Sequence, residues 1–107
     1  MQTKECALNV PSITLTTAAV QVFQGDIYLD ALSFRNGSAA GTIYLRNVRN
    51  SLAEVTSTDY DFSLGPGDAI GFDIATDGVS IRGPWRSLGS ATVTLEILPA
   101  WNKDKRF

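Results

Sequence analysis

Apolar and polar residues alternate along much of the chain. Tyr60, Phe62 and Leu64, then Ile70, Phe72 and Ile74, Val79 and Ile81, and Val93, Leu95 and Ile97 each recur at every second position. A β-strand repeats every two residues, so each set falls on one face and predicts a half-buried strand. Residues 8–17, 19–23, 27–34 and 42–48 alternate less regularly but are dense in β-branched and aromatic side chains, as in strands covered on both faces. The pattern predicts about eight short strands.

Turn residues separate these stretches: Gln24-Gly25-Asp26, Asn36-Gly37-Ser38, Gly65-Pro66-Gly67-Asp68, Asp77-Gly78, Gly83-Pro84 and Gly89-Ser90. Glycine supplies the positive φ and proline the fixed φ that tight turns need. Ser51-Leu52-Ala53-Glu54 has capping-box spacing, but the β-branched Val55-Thr56-Ser57-Thr58 that follows limits it to one turn. Residues 49–59 are therefore expected to form a long loop over the sheet ends.

So many short strands cannot share one flat sheet with a single buried face and still protect their edges. The fold class predicted is all-β, an antiparallel β-sandwich of jelly-roll or Greek-key type. No linker, repeat or low-complexity run divides the chain. Residues 1–107 are expected to be one domain with its core at 7–98, a short N-terminal arm, and a C-terminal arm at 99–107. Pro99 is expected to end the last strand because it lacks a backbone donor.

Composition narrows the function more than the fold. With 44% hydrophobic and 19% charged residues among 107, the chain has enough apolar side chains to fold. A net charge of -2 argues against a body that grips nucleic acid. Histidine is absent, which removes imidazole acid-base catalysis, His-based triads and mixed His/Cys zinc sites within one chain. The single cysteine, Cys6, cannot form an intrachain disulfide. Asp59, Asp61, Asp73 and Asp77 carry oxygen ligands but lack calcium-loop spacing, and read as solvated strand and turn carboxylates. Two carboxylates suffice for glycoside hydrolysis, but so short a chain has little room for a cleft with subsites. No catalytic residue, metal or cofactor is therefore expected. Residues 1–6 lack the charged-then-apolar run of a signal peptide, and no apolar stretch approaches the ~20 residues of a membrane span, so a soluble protein made without secretion is expected.

One series of residues resembles a known group. The run Phe62-Ser63-Leu64-Gly65-Pro66-Gly67-Asp68-Ala69-Ile70-Gly71-Phe72-Asp73-Ile74, then Val79-Ser80-Ile81-Arg82-Gly83 and the closing Ala91-Thr92-Val93-Thr94-Leu95, resembles small all-β structural proteins of tailed bacteriophage particles. In those, a strand, a Pro-Gly-acidic turn, a second strand and a terminal Val-x-Leu strand recur in this order. Ile13-Thr14-Leu15, Val20-Gln21-Val22 and Gly41-Thr42-Ile43-Tyr44-Leu45 sit where such proteins carry their first strands. The likeness spans roughly residues 12–98. The Leu64-x-Pro66-Gly67-Asp68 turn is similar to one in cupins and other jelly rolls, whose metal chemistry uses the histidines that this chain lacks. The resemblance implies a non-enzymatic virion structural protein, first of all a capsid decoration (cement) protein and otherwise a tail or baseplate piece. It further implies a homo-oligomer, with a trimer as first expectation, made in the host cytoplasm and partnered by a major capsid or tail protein.

Cations and aromatics sharpen the interface expectation. Lysine occurs only at positions 4, 103 and 105, while the body uses Arg35, Arg46, Arg49, Arg82 and Arg86. Arginine suits planar pairing and stacking at contacts, whereas lysine suits solvated surface. Trp85, just after Gly83-Pro84, is expected at a strand end or loop in contact with another subunit. The tail combines Trp101 and Phe107 with Lys103, Lys105 and Arg106, and is expected to dock on a neighbour. The candidate interface residues are thus Trp85, Arg86, Arg46, Arg49, Trp101 and Phe107. The alternative is a carbohydrate- or receptor-binding module whose sugar-stacking platform would draw on Trp85, Trp101, Tyr28, Tyr44 and Tyr60.

Overall fold

The computed structural model describes residues 12–49 and 52–101. Eight strands follow one another: β1 (Ser12–Leu15), β2 (Val20–Phe23), β3 (Leu29–Asn36), β4 (Ile43–Asn47), β5 (Phe62–Leu64), β6 (Ala69–Asp73), β7 (Trp85–Gly89) and β8 (Val93–Trp101). Between β6 and β7 lie one helical turn, α1 (Ile74–Asp77), and a 3-10 helix (Val79–Arg82). The strands form two four-stranded sheets in the orders β1-β8-β3-β6 and β2-β7-β4-β5, antiparallel throughout. Strands pair first with last and inward from there, β1 with β8, β2 with β7, β3 with β6 and β4 with β5. This is a long hairpin rolled into two layers, the jelly-roll arrangement.

Alternation builds the core between the layers. Leu32 and Phe34 of β3, Leu95 and Ile97 of β8, Ile43 and Leu45 of β4, and Leu64 of β5 all point inward and are buried. Trp85 is the largest fully buried side chain. Its ring centroid lies 5.0 Å from that of Phe34, 5.3 Å from Phe72 and 6.1 Å from Phe62, within the range of favourable aromatic pairs.

Four local expectations need correction. Val79 and Ile81 belong to the 3-10 helix and not to a strand; it follows α1, which Asp73 caps by accepting the Thr76 N–H at 2.7 Å. The strand before β8 is β7 (Trp85–Gly89), a stretch the alternation does not predict, and Trp85 stands at its end as expected. Tyr60 does not continue the inward face of Phe62 and Leu64; it lies ahead of β5, with its ring 4.9 Å from that of Tyr44 on the outer face. Pro99 does not end β8, which runs on to Trp101 opposite β3. Pro99 stands opposite Leu32 of β3.

Successive connections alternate between the two ends of the sandwich. One end collects the short turns 16–19, 37–42, 65–68 and 90–92. The other collects residues 24–28, 48–61 and 74–84. Backbone bonds confirm the grouping: Gly89 N–H to Thr16 O (2.8 Å) and Ser90 N–H to Thr42 O (2.8 Å) at the turn end, and Asp26 N–H to Arg82 O (3.1 Å) and Val48 N–H to Pro84 O (2.9 Å) at the long-loop end.

Candidate functional site

The β4–β5 connection folds back over the outer face of its own sheet. Arg46 and Arg86 are cross-strand partners on that face, so two guanidinium groups stand side by side and need counter-charge. The loop supplies it. Arg46 Nη2 donates to Asp59 Oδ1 at 2.6 Å, Nη1 donates to Ala53 O at 3.1 Å, and Nε lies 3.6 Å from Asp61 Oδ1. Arg86 holds Glu54 bidentately, at 2.7 and 3.0 Å. Asp61 also accepts the Asn47 N–H at 2.9 Å. The Arg86 hydrogen bond holds the Glu54 carboxyl below its usual range, and the Arg46 hydrogen bond does the same for Asp59, while both arginines are raised.

Val55 of the same loop and Leu88 of β7 are buried although neither belongs to the main core cluster. Leu88 alternates with Ser87, which points inward and donates its hydroxyl to Tyr44 O at 2.7 Å. The clamp thus serves the chain's own loop.

The predicted interface residues consequently separate. Arg46 is 4% exposed and Arg86 is paired, both within the chain. Trp85 is 1% exposed, with its indole N–H donated to Ile81 O at 2.9 Å, so it is a core residue and not a surface anchor. Arg49 is exposed at the rim of the long-loop end. Trp101 contributes its backbone to β8; its side chain lies outside the described residues, as do Cys6, Ser51, Lys103, Lys105, Arg106 and Phe107. Of the residues of the sugar platform, Trp85 is interior, whereas Tyr44 and Tyr60 come together with ring centroids 4.9 Å apart. Asp59 and Asp61 serve Arg46, whereas Asp73 and Asp77 belong to the α1 turn; among the described residues no group of three or more acidic, His or Cys side chains could hold a metal. No helix among them is long and apolar enough to cross a membrane.

Exposed large apolar side chains occur at Val20 in β2, Leu98 in β8, and Leu52 and Tyr60 in the β4–β5 loop, and three more stand at the long-loop end. Ile27 is 68% exposed, Tyr28 45% and Val79 54%. Their loops are braced. Asp26 Oδ1 accepts the Tyr28 N–H at 2.8 Å, the Leu29 N–H returns to Asp26 O at 3.1 Å, and Arg82 Nε donates to Leu29 O at 2.9 Å. Gly25 sits at φ +109°, where a Cβ would meet Arg82 O at 2.7 Å, so only glycine allows this approach. Ile27, Arg49, Arg82 and Pro84 border a hollow of about 230 Å³. Beside it Asn47, Phe62, Phe72, Asp77, Ser80 and Trp85 line a second cleft of about 200 Å³. Sequence reasoning placed Ile27 and Val79 in strands. The Asp26–Tyr28 spacing, where a side chain mimics a turn, was the signal that marks the loop.

Compared with known proteins, the chain matches no family model, no curated protein and no solved structure.

Proposed function

We propose that the chain is a non-enzymatic structural protein of a virus particle, a bacteriophage capsid decoration protein that docks through its long-loop end. The observation that carries the reading is the exposure of Ile27, Tyr28 and Val79 on braced loops at one end, with Arg49 and Arg82 beside them. Each large apolar side chain gains about 1.5–3 kcal/mol when fully buried, and aromatic and Arg residues together are the usual composition of interface anchors. Preordered loops lose little entropy on docking. The resemblance of residues 12–98 to phage structural proteins supplies the partner class, a major capsid or tail protein, and the expectation of a trimer.

The test is co-sedimentation of the purified chain with phage heads stripped of accessory proteins, together with its oligomeric state by light scattering. Saturable binding that Ile27→Ser with Val79→Ser abolishes is the expected result. No binding to heads or tails overturns the reading. A glycan screen with hits lost in Tyr28→Ala favours a carbohydrate-binding module instead.

A further inference from the structure

We infer that the cleft lined by Phe62, Phe72, Trp85, Asn47, Ser80 and Asp77 binds an alkylammonium group. This goes beyond the docking reading and does not depend on it. At about 200 Å³ the cleft exceeds the ~150 Å³ that accommodates a benzene ring, so it has room for a butylammonium chain or a quaternary ammonium. The half-buried rings of Phe62 and Phe72, in contact with each other and backed by the buried Trp85 ring, form its apolar lining with Ile81, and aromatic rings attract organic cations through their negative faces.

The polar groups decide which ligand fits. The Trp85 N–H is already donated to Ile81 O, and the Asn47 amide donates to Ser80 O at 2.7 Å while its oxygen accepts the Arg49 N–H at 2.8 Å. The Asp77 carboxylate uses Oδ2 to accept the Asp73 N–H at 3.0 Å, which leaves Oδ1 for a ligand. The Ser80 hydroxyl is the other polar group at hand. No cation lines the cleft. It therefore offers acceptors, one full negative charge and aromatic surface, with the second Asn47 amide N–H and the Ser80 hydroxyl as its donors. An anion is repelled. An ammonium group, with donors alone and a positive charge, is complementary.

The shared chemistry has two sources, a free amine or the side chain of a lysine in a polypeptide. The experiment is a ¹H–¹⁵N NMR titration of the full chain, following the amides of residues 77–81 and the Trp85 indole, with butylammonium, tetramethylammonium, acetyl-Gly-Lys-Gly-amide, 1-butanol and glucose. Saturable shifts with the cations, and none with butanol or glucose at equal concentration, are expected. Asp77→Asn should weaken cation binding about tenfold, since the amide oxygen can still accept the Asp73 N–H but carries no charge. Tighter binding of the lysine peptide than of butylammonium assigns the site to a polypeptide lysine, and the reverse order assigns it to a free amine. Equal binding of butanol, an unchanged affinity in Asp77→Asn, or no shift with any cation overturns the inference. The butanol control needs no variant and stands whatever the substitution does to α1.

Discussion

The two ends of the sandwich solve opposite problems. At the turn end Asn36 is fully buried and ties separate connections together. Its Nδ2 donates to Gly41 O at 3.0 Å and Leu64 O at 3.1 Å, its Oδ1 accepts the Ser38 N–H at 3.0 Å, and its backbone exchanges bonds with Asp68 and Gly67, both at 2.9 Å. Ser38 and Ser90 add side-chain acceptors for Thr94 N–H at 2.7 Å and Thr42 N–H at 2.9 Å. Short turns crowd backbone groups away from water, and each buried group must find a partner. The long-loop end has room to brace its backbone on itself and leaves Ile27, Tyr28 and Val79 facing out. Stability is therefore concentrated at one end, and recognition is free to occupy the other.

The largest break in this comparison comes from Asn36→Ala. It leaves two carbonyls and one N–H at the turn end without their partner, which should cost about 3 kcal/mol and lower Tm by roughly 10–20 °C. Denaturant unfolding measures it directly, and a loss below about 1 kcal/mol would show that water replaces the side chain and that the end is not the anchor.

How far the sequence exposed this architecture depends on what covers each strand. β6 and β8 were legible because their outer face meets solvent, so Phe72 and Leu95 alternate with polar or small neighbours, whereas β3 read as covered on both faces although Arg35 is exposed. β7 was not. It places Trp85 and Ser87 inward and Arg86 and Leu88 outward, the reverse of a simple pattern for its last pair, with Leu88 buried and Arg86 tied to Glu54 of the β4–β5 loop. Residues 74–82 failed for another reason: Val79 and Ile81 keep a two-residue spacing inside a 3-10 helix, while Asp73 caps the helical turn that carries Ile74. The exposed site was illegible in part because Ile27 and Val79 look like core residues until the turns that carry them are placed.

A second prediction probes the clamp. Arg46→Met keeps much of the side-chain volume but removes the counter-charge of the partly buried Asp61 and the tie to Ala53 O. The expected loss is about 2 kcal/mol, with hydrogen exchange rising across residues 52–61 before any change at the turn end. Uniform exchange across the chain would mean that the loop and the sheet unfold as one unit.

Acid should act more gently on the same contacts. Glu54 and Asp59 have native pKa values below their ordinary ones, so their contribution is fully present above the usual carboxylate range near ~4 and is lost as pH falls through the lowered native values. The raised arginines stay charged throughout and add no acid dependence. Both carboxylates are solvent-facing, so the effect should be smaller than that of Arg46→Met and should shrink in high salt. Tm against pH for the wild type and Arg46→Met checks this: the two curves should converge in acid, and parallel curves would place the acid-sensitive pairs elsewhere.

The smallest expected effect on stability comes from the residues that the long-loop end exposes. Ile27→Ser combined with Val79→Ser removes apolar surface that already meets water in the folded chain, so little burial is lost. Neither side chain carries a bracing bond; those run through Asp26, Arg82 and the backbone. The double variant should unfold within about 0.5 kcal/mol of the wild type, the usual range for surface substitutions. Reduced self-association or particle binding at unchanged stability would separate recognition from folding and sharpen the contrast with Asn36→Ala. A loss above about 1.5 kcal/mol in denaturant would instead mean that Ile27 and Val79 pack against something in solution, and the long-loop end would no longer count as a free surface.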